Sequence, residues 1–278
     1  MVNRAGGPVH APQPAPMRGW RLWLALVALL AIAAVCLLAG RWQLSRSAEK
    51  TALADAMASA AAQAPLALTP AVAQGTLGAW RPATAAGAWQ PGYTVLLDNR
   101  NHDGAPGRWV ATPLCLGLPD APDPAEGEAV DCDRAVLVLR GWQPRERPGE
   151  APALPPPPVP GAPVEGRLLE HVPRLFELSA LTPGEPAPAA PIVWEDERAP
   201  VLQNLTVAAL ADATGLPLLP MVLEQRNDTG DGLLRDWPSP VVDVAKHKGY
   251  ALQWFAFAAI ALIALGVIVV KAFRNRNR

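Results

Sequence analysis

The stretch Ala245–Arg278, AKHKGYALQWFAFAAIALIALGVIVVKAFRNRNR, decides the architecture of this chain. Residues 251–270 carry no charge and no proline, and Gln253 is their single polar side chain. At about 1.5 Å per residue, a helix of this length spans about 30 Å, the thickness of the hydrocarbon core of a bilayer. The stretch therefore predicts a transmembrane helix over 249–270, followed by a basic tail at 271–278.

A second apolar run lies near the other end of the chain, at Leu22–Ala39. It is uncharged, and Arg18 and Arg21 precede it. A cleaved signal peptide is the competing interpretation, but the run is longer than a typical signal-peptide core and no A-x-A site ends it. We therefore expect an uncleaved transmembrane helix over 20–40, after a disordered tail at 1–19.

Basic residues on the outer flanks of both spans predict the orientation of the chain. By the positive-inside rule, both termini are cytoplasmic, and the region between the spans lies outside the cytoplasm. This region comprises a helical extension at 41–64 and a domain at 65–248. The sequence shows no amphipathic transit peptide rich in Arg and Ser, which favours a bacterial inner membrane and a periplasmic domain. Membrane lipid is then an expected partner.

The composition fits a membrane-anchored protein and argues against a nucleic-acid partner. Charged residues make up 18% of the chain, less than the roughly 25% of an ordinary soluble domain. The net charge is −1, and a nucleic-acid-binding domain is normally basic.

Eight short runs between the spans indicate β-strands. They are Thr76–Trp80, Tyr93–Asn99, Trp109–Leu116, Ala135–Trp142, Val164–Glu170, Ile192–Glu195, Val201–Asn204 and Pro217–Gln225. One short helix is predicted between Thr206, which can cap its start, and Gly215, which can end it in a left-handed turn. A proline-rich stretch at 152–163 indicates an extended loop. Without regular βαβ alternation, the pattern favours an antiparallel sheet or a partly closed barrel in an α+β domain.

Cys115 and Cys132 lie at predicted strand ends on either side of an acidic, proline-containing loop. Under the predicted topology they lie in an oxidising compartment, where a disulfide can form. It would close a loop of about 18 residues, which stabilises by about 3 kcal/mol in the chain-entropy model. Two separate buried thiols are the alternative. No Cys or His residues have the spacing of a zinc site, so we predict no structural metal.

No catalytic motif is visible in the sequence. It contains no GxSxG, no GxGxxG after a strand, no Walker loop and no HExxH. The four histidines are scattered, at His10, His102, His171 and His247. We therefore predict that the protein is not an enzyme.

His247 differs from the other histidines because it lies at the outer edge of the second predicted span. On a helix, His247, Tyr250 and Trp254 share one face. Such a face could hold a planar hydrophobic ligand, with the imidazole as an axial ligand to a haem iron. The alternative is that these residues anchor the helix at the membrane interface, and residue chemistry alone favours it. A covalent c-type haem is excluded because there is no CxxCH.

Several blocks of residues between about 38 and 258 occur in the order of a known family. They are Gly40, Trp42, Gln43 and Arg46; Asp98, Asn99 and Arg100 with Gly104, Gly107 and Pro113; Arg140, Gly141 and Trp142; Asn204 with Leu219 and Pro220; and His247, Tyr250, Ala251, Trp254 and Phe255. In these blocks the chain resembles the surfeit locus protein 1 family, the assembly factors of cytochrome c oxidase. It departs from the family pattern at Leu139, where Asn is usual, and at Lys248, where Leu is usual.

The resemblance implies a chaperone-like role in maturing the oxidase. Family members are thought to help deliver haem a to subunit I of cytochrome c oxidase or to insert it there. The implied partners are subunit I and the haem a synthesis machinery, and the implied cofactor is a transiently held haem a. A membrane-anchored envelope scaffold or interaction module without a cofactor is the alternative.

The resemblance also suggests roles for individual residues. His247 becomes the position expected to contact haem, with Tyr250 and Trp254 as further candidate contacts. Arg140 and Trp142 are expected to be structural or to face a partner. A turn at Asp98, Asn99 and Arg100, with Gly104 and Gly107, is expected to shape a hairpin.

Overall fold

A computed structural model describes residues 19–117, 132–147, 150, 154–156, 162–176, 191–194, 198–238 and 244–277. The chain divides into two compact units, one made of Met1–Leu53 with Val241–Arg278 and the other of Ala54–Pro240. Almost all of the predicted tail at 1–19 lies outside the described residues. So do most of the proline-rich loop at 152–163 and the acidic loop between the two domain cysteines.

Two long helices dominate the first unit. Helix α1 spans Gly19–Ala61 and helix α3 spans Val244–Arg276. Both are long and apolar enough to cross a membrane. The predicted first span and its extension form one continuous helix, which ends before Pro65 because proline cannot donate a helical hydrogen bond. Helix α3 begins five residues earlier than the predicted span at 249–270.

The residues that are buried on these two helices, which we call the helix pair, are small. The buried residues are Ala33, Cys36, Gly40 and Ser47 on α1 and Ala251, Ala258 and Ala261 on α3. On each helix their spacing places them along one face. Small side chains let helix backbones approach closely, which is how helices associate where no hydrophobic effect drives them together.

The second unit, which we call the β domain, is built around one sheet, which has nine strands in the described residues. Its strands are β1 Leu66–Leu68, β2 Pro82–Ala85, β3 Gly87–Trp89, β4 Val95–His102, β5 Ala105–Leu116, β6 Ala135–Pro144, β7 Val164–Leu169, β8 Val201–Leu202 and β9 Leu218–Gln225. The order across the sheet is β1-β2-β7-β9-β6-β5-β4-β8, and β3 pairs with β5 off this path.

The domain is rich in β-strands, as predicted, but its sheet is mixed, where we expected an antiparallel sheet or a partly closed barrel. The pairs β1–β2, β4–β8 and β6–β9 are parallel, and the other pairs are antiparallel. Parallel neighbours need a long connection between them. The chain between β6 and β9 supplies one, because it first forms β7, β8 and a short helix. Strand patterns along the sequence give no information on this pairing.

Six of the eight predicted strands correspond to β4–β9. The prediction at Thr76–Trp80 is wrong, because Gln74–Thr76 forms a 3₁₀ turn and Trp80 has a left-handed φ of 68°. Residues 192–194 contain no strand, and Glu195 lies outside the described residues. Strands β1–β3 were missed because they have only three or four residues each and are rich in Ala, Gly and Pro.

The predicted short helix is confirmed, together with both of its caps. Helix α2 spans Val207–Thr214. The hydroxyl of Thr206 accepts a hydrogen bond from the backbone N–H of Ala209. Gly215 ends the helix at a φ of 71°, a left-handed conformation that glycine adopts without steric cost.

Strand β6 lies at the centre of the core and is buried on both faces. Val136 and Val138 belong to one apolar cluster, with Leu168 and Leu223. Leu137 and Leu139 point the opposite way, into a second cluster that includes Leu210 of α2. A strand covered on both faces carries a continuous apolar run rather than an alternating one. This explains the AVLVL run that begins at Ala135.

Candidate functional site

Helices α1 and α3 meet at two residues of separate family blocks. Nδ1 of His247 lies 2.8 Å from Oε1 of Gln43, although 204 residues separate them in the chain. On the same pair of helices, the ring of Phe255 lies against Gly40, where a Cβ would be 2.7 Å from the nearest ring carbon. The contacts run in opposite order along the two helices, so the helices are antiparallel. The first and last family blocks therefore meet where the two helices are in contact.

Gly40 and Gln43 are the residues of the first block that contact α3. Trp42 is 61% exposed, and Arg46 is exposed and pairs with Glu49 of its own helix at 2.8 Å. One helical turn separates Gly40 from Gln43, so both lie on the face that meets the partner helix. The sequence carried a signal for this arrangement, since Gln43 and His247 both lie just beyond the outer end of a predicted span.

The other two candidate haem contacts lie on α3 near His247. His247 and Trp254 are half-buried, and Tyr250 is 47% exposed. The ring of Trp254 packs edge-to-face against Phe257, with centroids 6.1 Å apart. The face of α3 that carries the imidazole therefore also carries two aromatic rings, one exposed and one half-buried.

The Asp98, Asn99 and Arg100 block does not form the expected turn. The hairpin between β4 and β5 turns at Asp103 and Gly104, whose φ angles are 47° and 81°. Asp98 to Arg100 instead forms a β-bulge, since the register of β4 against β5 shifts between Leu97 and Arg100. A bulge adds one residue to one strand and redirects the side chains around it.

The bulge presents the Asp98 carboxylate to two arginines. It accepts hydrogen bonds from Nη2 of Arg145 at 2.6 Å and from Nε of Arg108 at 3.2 Å. Arg108 also pairs with Glu146. Burial raises the pKa of Asp98, but the hydrogen bonds from Arg145 and the backbone of Asn99, with the charges of both arginines, outweigh it and hold this pKa below its ordinary value. These ion pairs link the bulge to the start of β5 and to the end of β6.

Arg100 and Trp142 interlock beside this bulge. The guanidinium of Arg100 lies 4.5 Å from the centre of the Trp109 ring and donates to the carbonyl oxygen of Gln203 at 3.1 Å. Burial lowers the pKa of Arg100 to about 10, so it stays charged at neutral pH. The indole N–H of Trp142 donates to the carbonyl oxygen of Arg100 at 2.6 Å. Gly107 lies beneath the Trp142 ring, where a Cβ would be only 2.3 Å from ring atoms.

Arg140 lies at a second bulge, in β6. The register of β5 against β6 skips Arg140, and its side chain pairs with Asp231 at 3.1 Å. Both side chains are buried, at 2% and 0% exposure. Asp231 also pairs with Arg235 at 2.6 Å, and Arg140 donates to the carbonyl oxygen of Pro156 at 2.7 Å. The side chain of Arg140 therefore holds segments of the β domain together.

Gly141 and Pro113 also have structural positions. A Cβ at Gly141 would lie 2.6 Å from the Cβ of Leu233. The segment that contains Leu233 therefore packs directly against the backbone of β6 at Gly141. Pro113 lies in β5 between the stretch that pairs with β4 and the stretch that pairs with β3. A proline there removes no ladder hydrogen bond on that side.

Cys115 and Cys132 form a disulfide, with Cα atoms 5.6 Å apart. Cys115 lies near the end of β5 opposite Ala135, the first residue of β6. The bond therefore closes the β5–β6 connection at its base. Cys36 of α1 is a free, buried thiol. Within the described ranges, no three His, Cys, Asp or Glu side chains come together in a way that could hold a metal ion.

Comparison with known proteins places these observations in one family. Among curated proteins, no sequence gives a significant match. The model of the SURF1 family matches residues 30–259, which is most of the chain and includes both sides of the Gln43–His247 contact. The chain therefore belongs to the SURF1 family, a family of cytochrome c oxidase assembly factors.

Proposed function

We propose that this protein assists the delivery of haem a to subunit I of cytochrome c oxidase, or its insertion there. It acts as an assembly factor and not as an enzyme. Membership of the SURF1 family supports a role in oxidase assembly. Haem a is then a cargo that the protein holds transiently, and the haem a synthesis machinery and subunit I are its partners.

The contact between Gln43 and His247 is the observation that carries this proposal. It holds an imidazole at the point where the apolar stretches of two helices end. A haem needs a ligand for its iron, an apolar surface for its macrocycle and cations near its propionates. His247 can supply the first, Tyr250 and Trp254 offer aromatic rings on the same helix face, and Lys248 is an exposed cation. The residues present thus fit a haem as cargo.

The proposed location is a bacterial inner membrane, with both termini in the cytoplasm and the β domain in the periplasm. The two apolar helices support a membrane location. The orientation follows from Arg18 and Arg21 before the first helix and from the basic residues after the second, at Lys271 and Arg274. The Cys115–Cys132 disulfide is compatible with an oxidising compartment on that side.

Deletion of the gene tests the role in haem a delivery. Visible spectra of oxidase-containing membranes from the deletion strain should show a reduced haem a band, and the wild-type gene should restore it. Subunit I should still be detected by immunoblotting in early membranes, because its synthesis precedes haem insertion. A haem a band of normal intensity would contradict the proposal and favour an envelope scaffold.

Substitution of His247 tests the proposed cargo site. The His247→Ala protein should insert into membranes normally but should co-purify with at least tenfold less haem a after co-expression with the haem a synthesis enzymes. His171→Ala is the matched control, because it removes an exposed imidazole of the β domain and should leave haem retention unchanged. Equal retention by His247→Ala and wild type would reject the ligand role.

A further inference from the structure

We propose that Gln43 is a positioning residue, which holds His247 in the tautomer that carries its proton on Nδ1 and leaves the lone pair of Nε2 for the iron. This inference rests on the proposed function, because it names the residue that prepares the cargo site. Gln43 lies on α1, whereas the candidate haem contacts that the resemblance implies all lie on α3.

The atoms of the hydrogen bond between Gln43 and His247 determine which of them donates. Oε1 of Gln43 is an amide carbonyl oxygen and can only accept, so Nδ1 of His247, 2.8 Å away, must donate. A neutral imidazole has one N–H, so its other nitrogen, Nε2, then carries a lone pair. A histidine that binds a metal commonly donates its other N–H to an oxygen in this way, and the bond fixes both the tautomer and the ring orientation.

The backbone that carries Gln43 is held in place by packing. Gly40, one turn before Gln43, lies against the ring of Phe255, and Ser47, one turn after it, is buried. Gln43 and His247 are themselves half-buried. The amide therefore projects from a packed helix face, and the imidazole meets a prearranged acceptor. A glutamine on an exposed helix face would sample many rotamers and could not hold a ring in one orientation.

The orientation of the amide matters, because rotating it by 180° would reverse the prediction. Its NH₂ group would then donate to Nδ1, and the proton of His247 would move to Nε2, which could not bind iron. The two arrangements differ in a measurable property of the haem-free protein. The ¹⁵N chemical shifts and two-bond N–H couplings of an imidazole show directly which nitrogen carries the proton.

The first measurement uses the haem-free, full-length protein in detergent, labelled with ¹⁵N-histidine, at an alkaline pH where imidazoles are neutral. With only four histidines in the chain, the His247 signals can be assigned by their loss in His247→Ala. We expect an Nδ1–H tautomer in wild type and in Gln43→Glu, whose carboxylate also accepts. We expect a mixture of tautomers in Gln43→Leu. An Nε2–H tautomer in wild type, or a Gln43→Leu spectrum identical to that of wild type, would overturn the inference.

The second measurement titrates the same proteins with haem a and follows the Soret band. Loss of an outer hydrogen-bond partner typically weakens metal binding 10–100-fold, so Gln43→Leu should bind haem a that much more weakly. Gln43→Glu should bind as tightly as wild type. Gln253→Leu is the matched control, because Gln253 is an exposed glutamine of α3 and its replacement should change nothing. If Gln43 served packing alone, the similarly sized leucine would be tolerated and the binding of Gln43→Leu would equal that of wild type.

The two measurements separate this inference from the proposed function. If wild type binds no haem a, the proposed cargo role fails, while the tautomer measurement still decides whether Gln43 orients His247. If wild type binds haem a and Gln43→Leu binds it equally well, the cargo role stands and the positioning role of Gln43 is rejected.

Discussion

The helix pair and the β domain use their family residues in opposite ways. In the β domain, Arg100 and Arg140 are buried, stacked on tryptophan rings and hydrogen-bonded to neighbouring chain segments. In the helix pair the buried residues are small, and His247 is half-buried with one ring nitrogen bonded to Gln43.

This difference distinguishes residues that stabilise the fold from a residue that has a ring nitrogen left for a ligand. The guanidiniums of Arg100 and Arg140 are buried against tryptophan rings, and Arg140 is paired with Asp231, so neither is open to a ligand from solvent. A half-buried imidazole with one nitrogen engaged keeps a second nitrogen for chemistry. We therefore expect substitutions in the β domain to act on stability, and substitutions in the helix pair to act on haem retention.

The largest effect on stability should come from Asp231→Asn. It leaves the buried guanidinium of Arg140 without the carboxylate it pairs with and removes the closer of the two carboxylates that face Arg235. Breaking a buried ion pair in this way typically costs about 3–5 kcal/mol. The measurement is urea unfolding of the β domain within the full-length protein, followed by tryptophan fluorescence. The control is Asp228→Asn, which removes a carboxylate that also faces Arg235 but is 86% exposed. If Asp231→Asn lowered the free energy of unfolding no more than Asp228→Asn does, the stabilising role of the buried ion pairs would be contradicted.

Cys115→Ser should have the next largest effect. Opening the bond to Cys132 removes a constraint on the unfolded chain that stabilises by about 3 kcal/mol for a loop of this size. Alkylation and mass measurement should show two additional reactive thiols in wild type after reduction. Cys36→Ser, which changes the free thiol of the helix pair, should leave unfolding of the β domain unchanged. Two free domain thiols in the native, unreduced protein would contradict the pairing.

Replacing a glycine by alanine should have different consequences in the β domain and in the helix pair. Gly107 lies against the ring of Trp142, and Gly40 lies against the ring of Phe255. Gly107→Ala should destabilise the β domain by about 1–3 kcal/mol through overpacking and leave the haem affinity of the folded protein unchanged. Gly40→Ala should weaken haem a retention several-fold, because it displaces the helix that carries Gln43, without changing unfolding of the β domain.

The controls for this pair are Gly78→Ala and Gly266→Ala. A Cβ at either position would meet no atom within 4 Å, so neither variant should differ from wild type in unfolding or in haem retention. If Gly107→Ala reduced haem affinity and Gly40→Ala did not, the assignment of roles to the two regions would be reversed.

The smallest predicted effect is a pH dependence. The pKa of Asp98 is lowered in the folded protein, so its carboxylate contributes stability that is present above its unfolded pKa and lost as the pH falls through its folded pKa. Asp98→Asn should therefore flatten the acid limb of the stability profile in urea unfolding below about pH 4. Asp103→Asn, on the same hairpin but 91% exposed, should keep the wild-type profile.

Much of this architecture could be predicted from local sequence patterns. The two spans follow from uninterrupted apolar runs with basic flanks, and α2 follows from Thr206 and Gly215. Strands with several β-branched or long apolar residues, such as β6, were found. Strands β1–β3 were missed because short runs such as Pro-Ala-Thr-Ala have neither the length nor the composition of a strand. The bulges at Arg100 and Arg140 were also missed, since a one-residue register shift leaves no mark on composition.

The candidate site, too, could be predicted from the sequence only in part. His247 could be singled out because an imidazole at the end of an apolar run is chemically conspicuous. For Gln43 the sequence indicated only a place in a family block, just beyond the outer end of the first predicted span. Its contact with His247 could not be predicted, because the two residues are 204 positions apart and no periodicity in either helix indicates which faces will meet. Helix formation and membrane length are local properties of a chain. The choice of parallel strand partners, the pairing of Arg140 with Asp231 and the acceptor for Nδ1 of His247 depend on packing between distant segments, and only the folded chain supplies that.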